Sequence, residues 1–244
     1  CGNSTVVDQM TAPWATWGMY FPNFVDSTIA IANYAESGLT SGGFLSMKRL
    51  QKILAEAKPG DYVFVEFGHN DQKNTTDVSN YPSNLKAYRD QIKSKGAIPV
   101  FVIPTARQDE YDPLSSVGGL AQKMRETSDD FGVIYIDLNQ MVIDIKKALG
   151  DNAYQLYMHT AGDKTHFCEY GGYELARAIM RGLEDKIPDL KSQFRSDYVR
   201  FNPSNPDPLN ILEIDLPPLE EPVSIPLCGE DSCKVVLQGE NFCF

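Results

Sequence analysis

Residues 61–71 read Asp61-Tyr62-Val63-Phe64-Val65-Glu66-Phe67-Gly68-His69-Asn70-Asp71, a near-continuous apolar run that ends in a glycine and three polar residues. A run so short and so rich in β-branched and aromatic side chains predicts a strand buried on both faces, since a strand with one wet face would alternate. Working outward, residues 29–33, 98–104 and 133–137 repeat the pattern. Between them, residues 45–58, 81–95 and 116–131 carry apolar side chains at helical spacing, and Glu169–Lys186 reads as a closing helix. Lys58-Pro59-Gly60-Asp61 and Lys95-Gly96 supply the helix ends and turns. Strands alternating with helices predict an α/β fold with a parallel sheet covered on both sides, a three-layer α/β/α arrangement.

The chain has 244 residues, with 42% hydrophobic and 11% aromatic content, enough to build one full core and an appendage. Proline and acidic residues crowd residues 201–226, where neither a central strand nor a helix can form. The expected division is therefore a folded domain over 1–198 and a proline-rich extended segment over 199–244, with a small cysteine-containing element at its end. A net charge of −11 argues against nucleic acid and against a polybasic membrane-surface role, because phosphate and anionic lipid would repel it. No apolar run reaches the roughly 18 residues a membrane span needs. Of the five cysteines, Cys228, Cys233 and Cys243 cluster, which suggests local disulfide bonding in an oxidising compartment and hence a secreted, cell-surface or periplasmic protein. None of them has zinc-ribbon spacing with matching histidines, so no metal is expected.

Histidine is scarce: His69, His159 and His166 are the full set. His166 stands in Asp163-Lys164-Thr165-His166, just ahead of the closing helix. An aspartate three residues before a histidine can accept the Nδ1 proton and leave Nε2 free to act as base, although the same pair also serves as a capping arrangement on many loops. Gly68-His69-Asn70-Asp71 falls at the carboxyl end of a predicted strand, where open α/β sheets place their ligand crevice. There Asn70 suits either a turn or the donation of its amide to a developing oxyanion. A third segment, Gly2-Asn3-Ser4-Thr5, is bland by itself.

Taken in order, Gly2-Asn3-Ser4-Thr5-Val6, Glu36-Ser37-Gly38, Gly68-His69-Asn70-Asp71 and Asp163-x-x-His166 resemble the four sequence blocks of the SGNH, or GDSL-type, hydrolases. The wording is closest to the rhamnogalacturonan acetylesterase-like carbohydrate esterases, and the likeness runs from residue 1 to about 187. The resemblance implies a flavodoxin-like α/β/α hydrolase without metal or organic cofactor. It makes Ser4 the nucleophile, His166 the base and Asp163 the group that orients it, with an oxyanion hole from the backbone N–H of Ser4 and Gly38 and the side chain of Asn70. Gly38 would let the main chain approach a reacting carbonyl closely. The implied substrate is an acetylated polysaccharide of the plant cell wall, rhamnogalacturonan or xylan, cleaved through an acyl-enzyme.

Two departures accompany the likeness. Asn3 stands where the family commonly has aspartate. Only Cys1, Gly2 and Asn3 precede the serine, where the family has a buried strand, so the first strand is expected to be missing or truncated and the parent chain to be longer, with room for further domains. Three further residues are candidate substrate contacts, each with a structural alternative. Trp14 suits a sugar-stacking platform or the core, His69 a substrate contact or a structural role, and Arg107 a carbohydrate contact or a surface ion pair. Two rivals to the acetylesterase remain: a GDSL-type lipase or aryl esterase, and a catalytically silent carbohydrate-binding homologue.

Overall fold

The protein is described here by a computed structural model covering residues 1–212; the expected C-terminal element and its cysteines Cys228, Cys233 and Cys243 lie outside the described residues. In chain order the elements are β1 (Trp14–Ala15), α1 (Trp17–Tyr20), α2 (Ser41–Ser46), α3 (Arg49–Glu56), β2 (Tyr62–Val65), α4 (Thr75–Ser94), β3 (Ile98–Val102), α5 (Leu120–Phe131), β4 (Ile134–Ile136), α6 (Leu138–Leu149), β5 (Phe167–Cys168) and α7 (Glu169–Lys186). The strands β2, β3 and β4 form a parallel sheet in that order, with Val63 opposite Pro99 and Phe101 opposite Tyr135.

Successive side chains of a strand point to opposite faces, and the core divides accordingly. Val100, Val102 and Ile136 pack with α6 and α7, through residues such as Val142, Ile145, Leu175 and Ile179. Val63, Val65, Phe101 and Ile103 pack with α3, α4 and α5, through Leu50, Ile53, Leu85, Tyr88 and Met124. The fold is thus the three-layer α/β/α arrangement that residues 61–71 foretold. Helix α4 starts at Thr75, ahead of the predicted 81, because the Asn74 side chain caps it by accepting from Thr76 N (2.8 Å).

Residues 29–33 do not form the expected strand. Ile31 and Ala32 are exposed, and the segment lines a groove of about 750 Å³ beside Tyr62 and Phe64 without joining the ladder. A β-branched run forms a strand only where a neighbour offers its edge; here Ile31 and Ala32 face outward while Ile29 packs on the core and Asn33 Nδ2 donates to Val6 O (2.7 Å). Beside β2 the backbone of Cys1 and Gly2 enters the sheet: Glu66 N donates to Cys1 O (3.1 Å), and Gly2 bridges Glu66 in parallel.

The compact unit extends through Leu212, beyond the expected boundary at 198. Phe201 is buried under Arg177, whose guanidinium lies 5.0 Å from its ring centroid and also pairs with Asp207. Tyr170 donates to Asp207 O (2.7 Å), so these residues form a strap along α7. One buried aromatic and an ion pair keep proline-rich chain on the surface of the helix.

Candidate active site

Ser4, Asp163 and His166 meet beyond the carboxyl ends of the strands. Ser4 Oγ lies 2.9 Å from His166 Nε2, and His166 Nδ1 lies 2.8 Å from Asp163 Oδ2. The other carboxylate oxygen of Asp163 accepts from the backbone N–H of Thr165 (2.9 Å) and of His166 (3.1 Å). Partial burial pushes the Asp163 carboxyl up, but these backbone donations and that of the imidazole outweigh it and hold the group below its ordinary value. A carboxylate so held fixes the proton of His166 on Nδ1 and leaves Nε2 as an acceptor facing the serine hydroxyl.

The serine is supported from below by a buried polar cluster. Asn3 Oδ1 accepts from Thr5 N (3.1 Å), and the Thr5 hydroxyl lies within reach of both Asn3 Oδ1 (3.0 Å) and Glu66 Oε1 (3.1 Å). The indole N–H of Trp17 donates to Glu66 Oε2 (2.6 Å), and Thr105 N approaches Oε1 (3.5 Å). Burial pushes the Glu66 carboxyl up to about 7, against the opposing donations of Trp17, Thr5 and Thr105. The carboxyl that interrupts the apolar strand is therefore the joint between the serine segment, α1 and the end of β3. Three donors far apart in sequence, Thr5, Trp17 and Thr105, specify it.

Gly38 and Asn70 are brought to the same edge by two further links. Glu36 N donates to Gly2 O (3.0 Å), which sets the Gly38 turn beside the serine segment. Asn70 Nδ2 donates to Leu39 O (3.2 Å), while Lys73 Nζ donates to Asn70 Oδ1 (2.8 Å), and the two contacts assign the ends of the carboxamide. Behind them Asp71, fully buried, accepts from Ser41 N (2.9 Å) and from the Ser41 hydroxyl, locking the start of α2 to the Asn70 turn. Burial raises the Asp71 carboxyl, and the two Ser41 donations oppose it.

Glycine at position 38 is set by its own backbone conformation and not by crowding from neighbouring protein atoms. Its φ is +81°, which an L side chain rarely adopts, while a Cβ built there would touch nothing within 4 Å. At Gly68 both demands coincide: φ is +144° and a Cβ would lie 2.9 Å from Pro104 Cγ.

His69 is 2% exposed, and its Nε2 lies 2.8 Å from Thr105 O. Burial pushes its imidazole down to about 3, so it is neutral. Arg107 donates to Thr165 Oγ1 (2.8 Å) and reaches His69 O (3.5 Å), tying the Asp163–His166 loop to the Asn70 turn. Trp14 is half-buried, with its ring centroid 4.8 Å from that of His166 and the planes 31° apart. His159 packs against Tyr154 with centroids 5.5 Å apart. Among the described residues no three His, Cys, Asp or Glu side chains converge as a metal site would require.

A parallel sheet covered on both faces, with serine, histidine and aspartate in one hydrogen-bonded line at its carboxyl end, is the arrangement of an α/β serine hydrolase, and the SGNH class is one that has it. The GDSL-like lipase/acylhydrolase family matches residues 1–171, and the chain belongs to that family. It is 31% identical over 214 residues to the rhamnogalacturonan acetylesterase RhgT of Bacillus subtilis, covering 80% of this chain and 92% of that protein. The probable rhamnogalacturonan acetylesterase YesY of the same organism is 29% identical over 180 residues, 69% of this chain and 83% of its own length. The crystal structure of Bacillus subtilis YxiM superposes with a TM-score of 0.68 at 25% identity, covering 75% of this chain and 55% of that longer one.

Proposed function

We propose that this chain is a serine acetylesterase that removes O-acetyl groups from plant cell-wall polysaccharide through an acetyl-enzyme. The observation that carries the reading is the continuous line from Ser4 Oγ to His166 and on to Asp163, at 2.9 and 2.8 Å. Ser4 Oγ attacks the acetyl carbonyl as its proton passes to His166 Nε2. The oxyanion is met by the backbone N–H of Ser4 and Gly38 and by Asn70 Nδ2, donors aimed in advance at developing charge. His166 returns the proton to the sugar oxygen, which leaves as the alcohol. A water that gives its proton to His166 then attacks the acetyl group, acetate departs, and the proton goes back to Ser4. Asn3 does not interrupt this scheme, because Asp163 is the acid that orients the base.

The likeness to RhgT and YesY, the first named for rhamnogalacturonan deacetylation and the second as a probable enzyme of the same kind, supports acetylated pectin as substrate. A second reading, acetylated xylan, is favoured by charge. The chain carries a net −11, and two cations beside the histidine loop, Arg107 and Lys164, are each faced by a carboxylate, Glu110 and Asp109. A polyanion gains little from such a surface. On either reading the enzyme works outside the cytoplasm, where the polymer is.

Acetate release from acetylated rhamnogalacturonan and from acetylated xylan, compared between the wild type and Ser4→Ala, tests both points. Release that depends on Ser4 and favours one polymer is expected. Equal release by the two proteins would remove the mechanism.

A further inference from the structure

We propose that Trp14 is a positioning residue for His166, holding the imidazole in the plane its two hydrogen bonds define and covering one face against water. The inference rests on the reading in which His166 is the base. Strand β1 pairs antiparallel with β5, Trp14 opposite Cys168 and Ala15 opposite Phe167, and Phe167 directly follows His166. This ribbon carries the indole onto the histidine ring, with centroids 4.8 Å apart at 31°. Asp163 and Ser4 occupy the two nitrogen edges of the ring. Those bonds direct the ring within its plane, but rotation out of the plane is opposed only by what packs on its faces. The His166 side chain keeps 26% exposure, so a face left bare would admit water beside Nε2.

The indole also acts on the charged form. When His166 takes the serine proton it becomes a cation, and an aromatic face close to a cation attracts it through the ring quadrupole, more strongly where water is excluded. The interaction is stronger in the transition state than in the resting site, which is what accelerates a reaction. A sugar-stacking platform is the competing role, but the indole face turned to His166 is not free to take a sugar ring.

The two roles separate in kinetics. Trp14→Leu and Trp14→Phe are assayed on 4-nitrophenyl acetate, which has no sugar, and on an acetylated xylo-oligosaccharide, with Ser4→Ala alongside and thermal unfolding as the fold control. The leucine variant is expected to lose about tenfold in kcat on both substrates, with KM changed by less than about twofold, and the phenylalanine variant to keep about half of kcat. Unchanged turnover of 4-nitrophenyl acetate by Trp14→Leu, with a raised KM for the oligosaccharide alone, would overturn the proposal in favour of a platform. Wild-type behaviour of the leucine variant on both substrates would overturn it outright. If Trp14→Leu loses its cooperative unfolding transition, Trp14→Met, apolar but without an aromatic face, is judged by the same criteria. An inactive Ser4→Ala beside an unimpaired Trp14→Leu defeats this proposal alone, whereas a fully active Ser4→Ala defeats the serine reading on which it rests.

Discussion

Asp163 and His166 are joined inside a four-residue loop, and the carboxylate's backbone donors, Thr165 N and His166 N, belong to the same loop. The Ser4 segment has local turn bonds as well, from Thr5 N to Asn3 Oδ1 (3.1 Å) and from Val6 N and Val7 N to Asn3 O (3.1 and 3.0 Å), but no charged partner of its own. It is held through Thr5 to Glu66, 61 positions away, and Glu66 in turn takes the indole proton of Trp17 across 49 positions. One half of the site thus holds its charged pair inside a single loop, whereas the other reaches its buried carboxyl only through the tertiary fold. The difference teaches where damage should appear: a change in the histidine half should cost chemistry, whereas a change beneath the serine should cost stability first.

The largest effect is expected in the histidine half. On the proposed mechanism His166→Gln removes the base and should lower kcat/KM by about 1,000-fold. Its side chain is part-exposed and makes two bonds, so thermal stability should fall by only about 1 kcal/mol. Acetate release and a thermal melt on the same sample measure both. A melt shifted as far as that of a Glu66 variant would break the comparison, since the loop would then be part of the cooperative core.

Beneath the serine the order of effects reverses. Glu66→Ala leaves the Trp17 indole N–H without its buried partner and the Thr5 hydroxyl with Asn3 Oδ1 alone, and opens a void, which should cost about 3 kcal/mol in denaturant unfolding. The acid also predicts a pH dependence. Burial lifts Glu66 from an ordinary 4.5 to about 7, so between those values the folded state binds more protons than the unfolded chain. Stability from this group is complete below pH 4.5, falls as pH rises toward 7, and is level above it. The full span is on the order of 3 kcal/mol. Glu174, raised to about 8 by burial and by the Asp207 charge, adds a slope of the same sign that continues further. Glu66→Gln should therefore flatten the lower part of the profile and leave the upper part in place. A profile identical to the wild type would show that Glu66 is not buried as described.

The same contrast explains what the sequence made legible. Residues 61–71 announced both a strand and its loop because apolar periodicity and turn chemistry are local properties. The Asp163-x-x-His166 spacing carried its own geometry for the same reason. Residues 29–33 look no different from a true strand, and only the absence of a ladder partner, a tertiary fact, separates them from one. Phe201 likewise fastens chain that composition marks as a linker. Trp14 could be singled out as an aromatic near the serine block. Its partner could not, because the β1–β5 pairing spans more than 150 positions.

Arg107 joins the two loops and tests whether the halves communicate. Arg107→Met removes the donation to Thr165 Oγ1 and the contact with His69 O. The Asp163 loop keeps its internal bonds, so unfolding should be easier by only about 1 kcal/mol. Turnover should nevertheless drop by about tenfold, because a base displaced by a fraction of an ångström from its serine is a poor one. If kcat is retained and KM alone rises, Arg107 touches substrate instead, as the sequence also allowed.

The smallest effect belongs to Asp109, which pairs with Lys164 at 2.8 Å on the outside of the same loop. Both side chains are 55% exposed, and the pairing lowers the Asp109 carboxyl through the Lys164 bond. Surface pairs of this kind contribute about 0–1 kcal/mol, because water screens the charges and two long side chains lose freedom in meeting. Gln108 N also donates to Lys164 O (2.9 Å), so the backbone of the loop is fastened without the ion pair. Asp109→Asn should leave the melt and kcat on a neutral ester unchanged within error. On acetylated rhamnogalacturonan it should lower KM at low salt, since it frees Lys164 and removes one negative charge beside the histidine loop. The gain should vanish at high ionic strength. A lower KM that persists in salt would instead point to direct contact between Lys164 and the polymer.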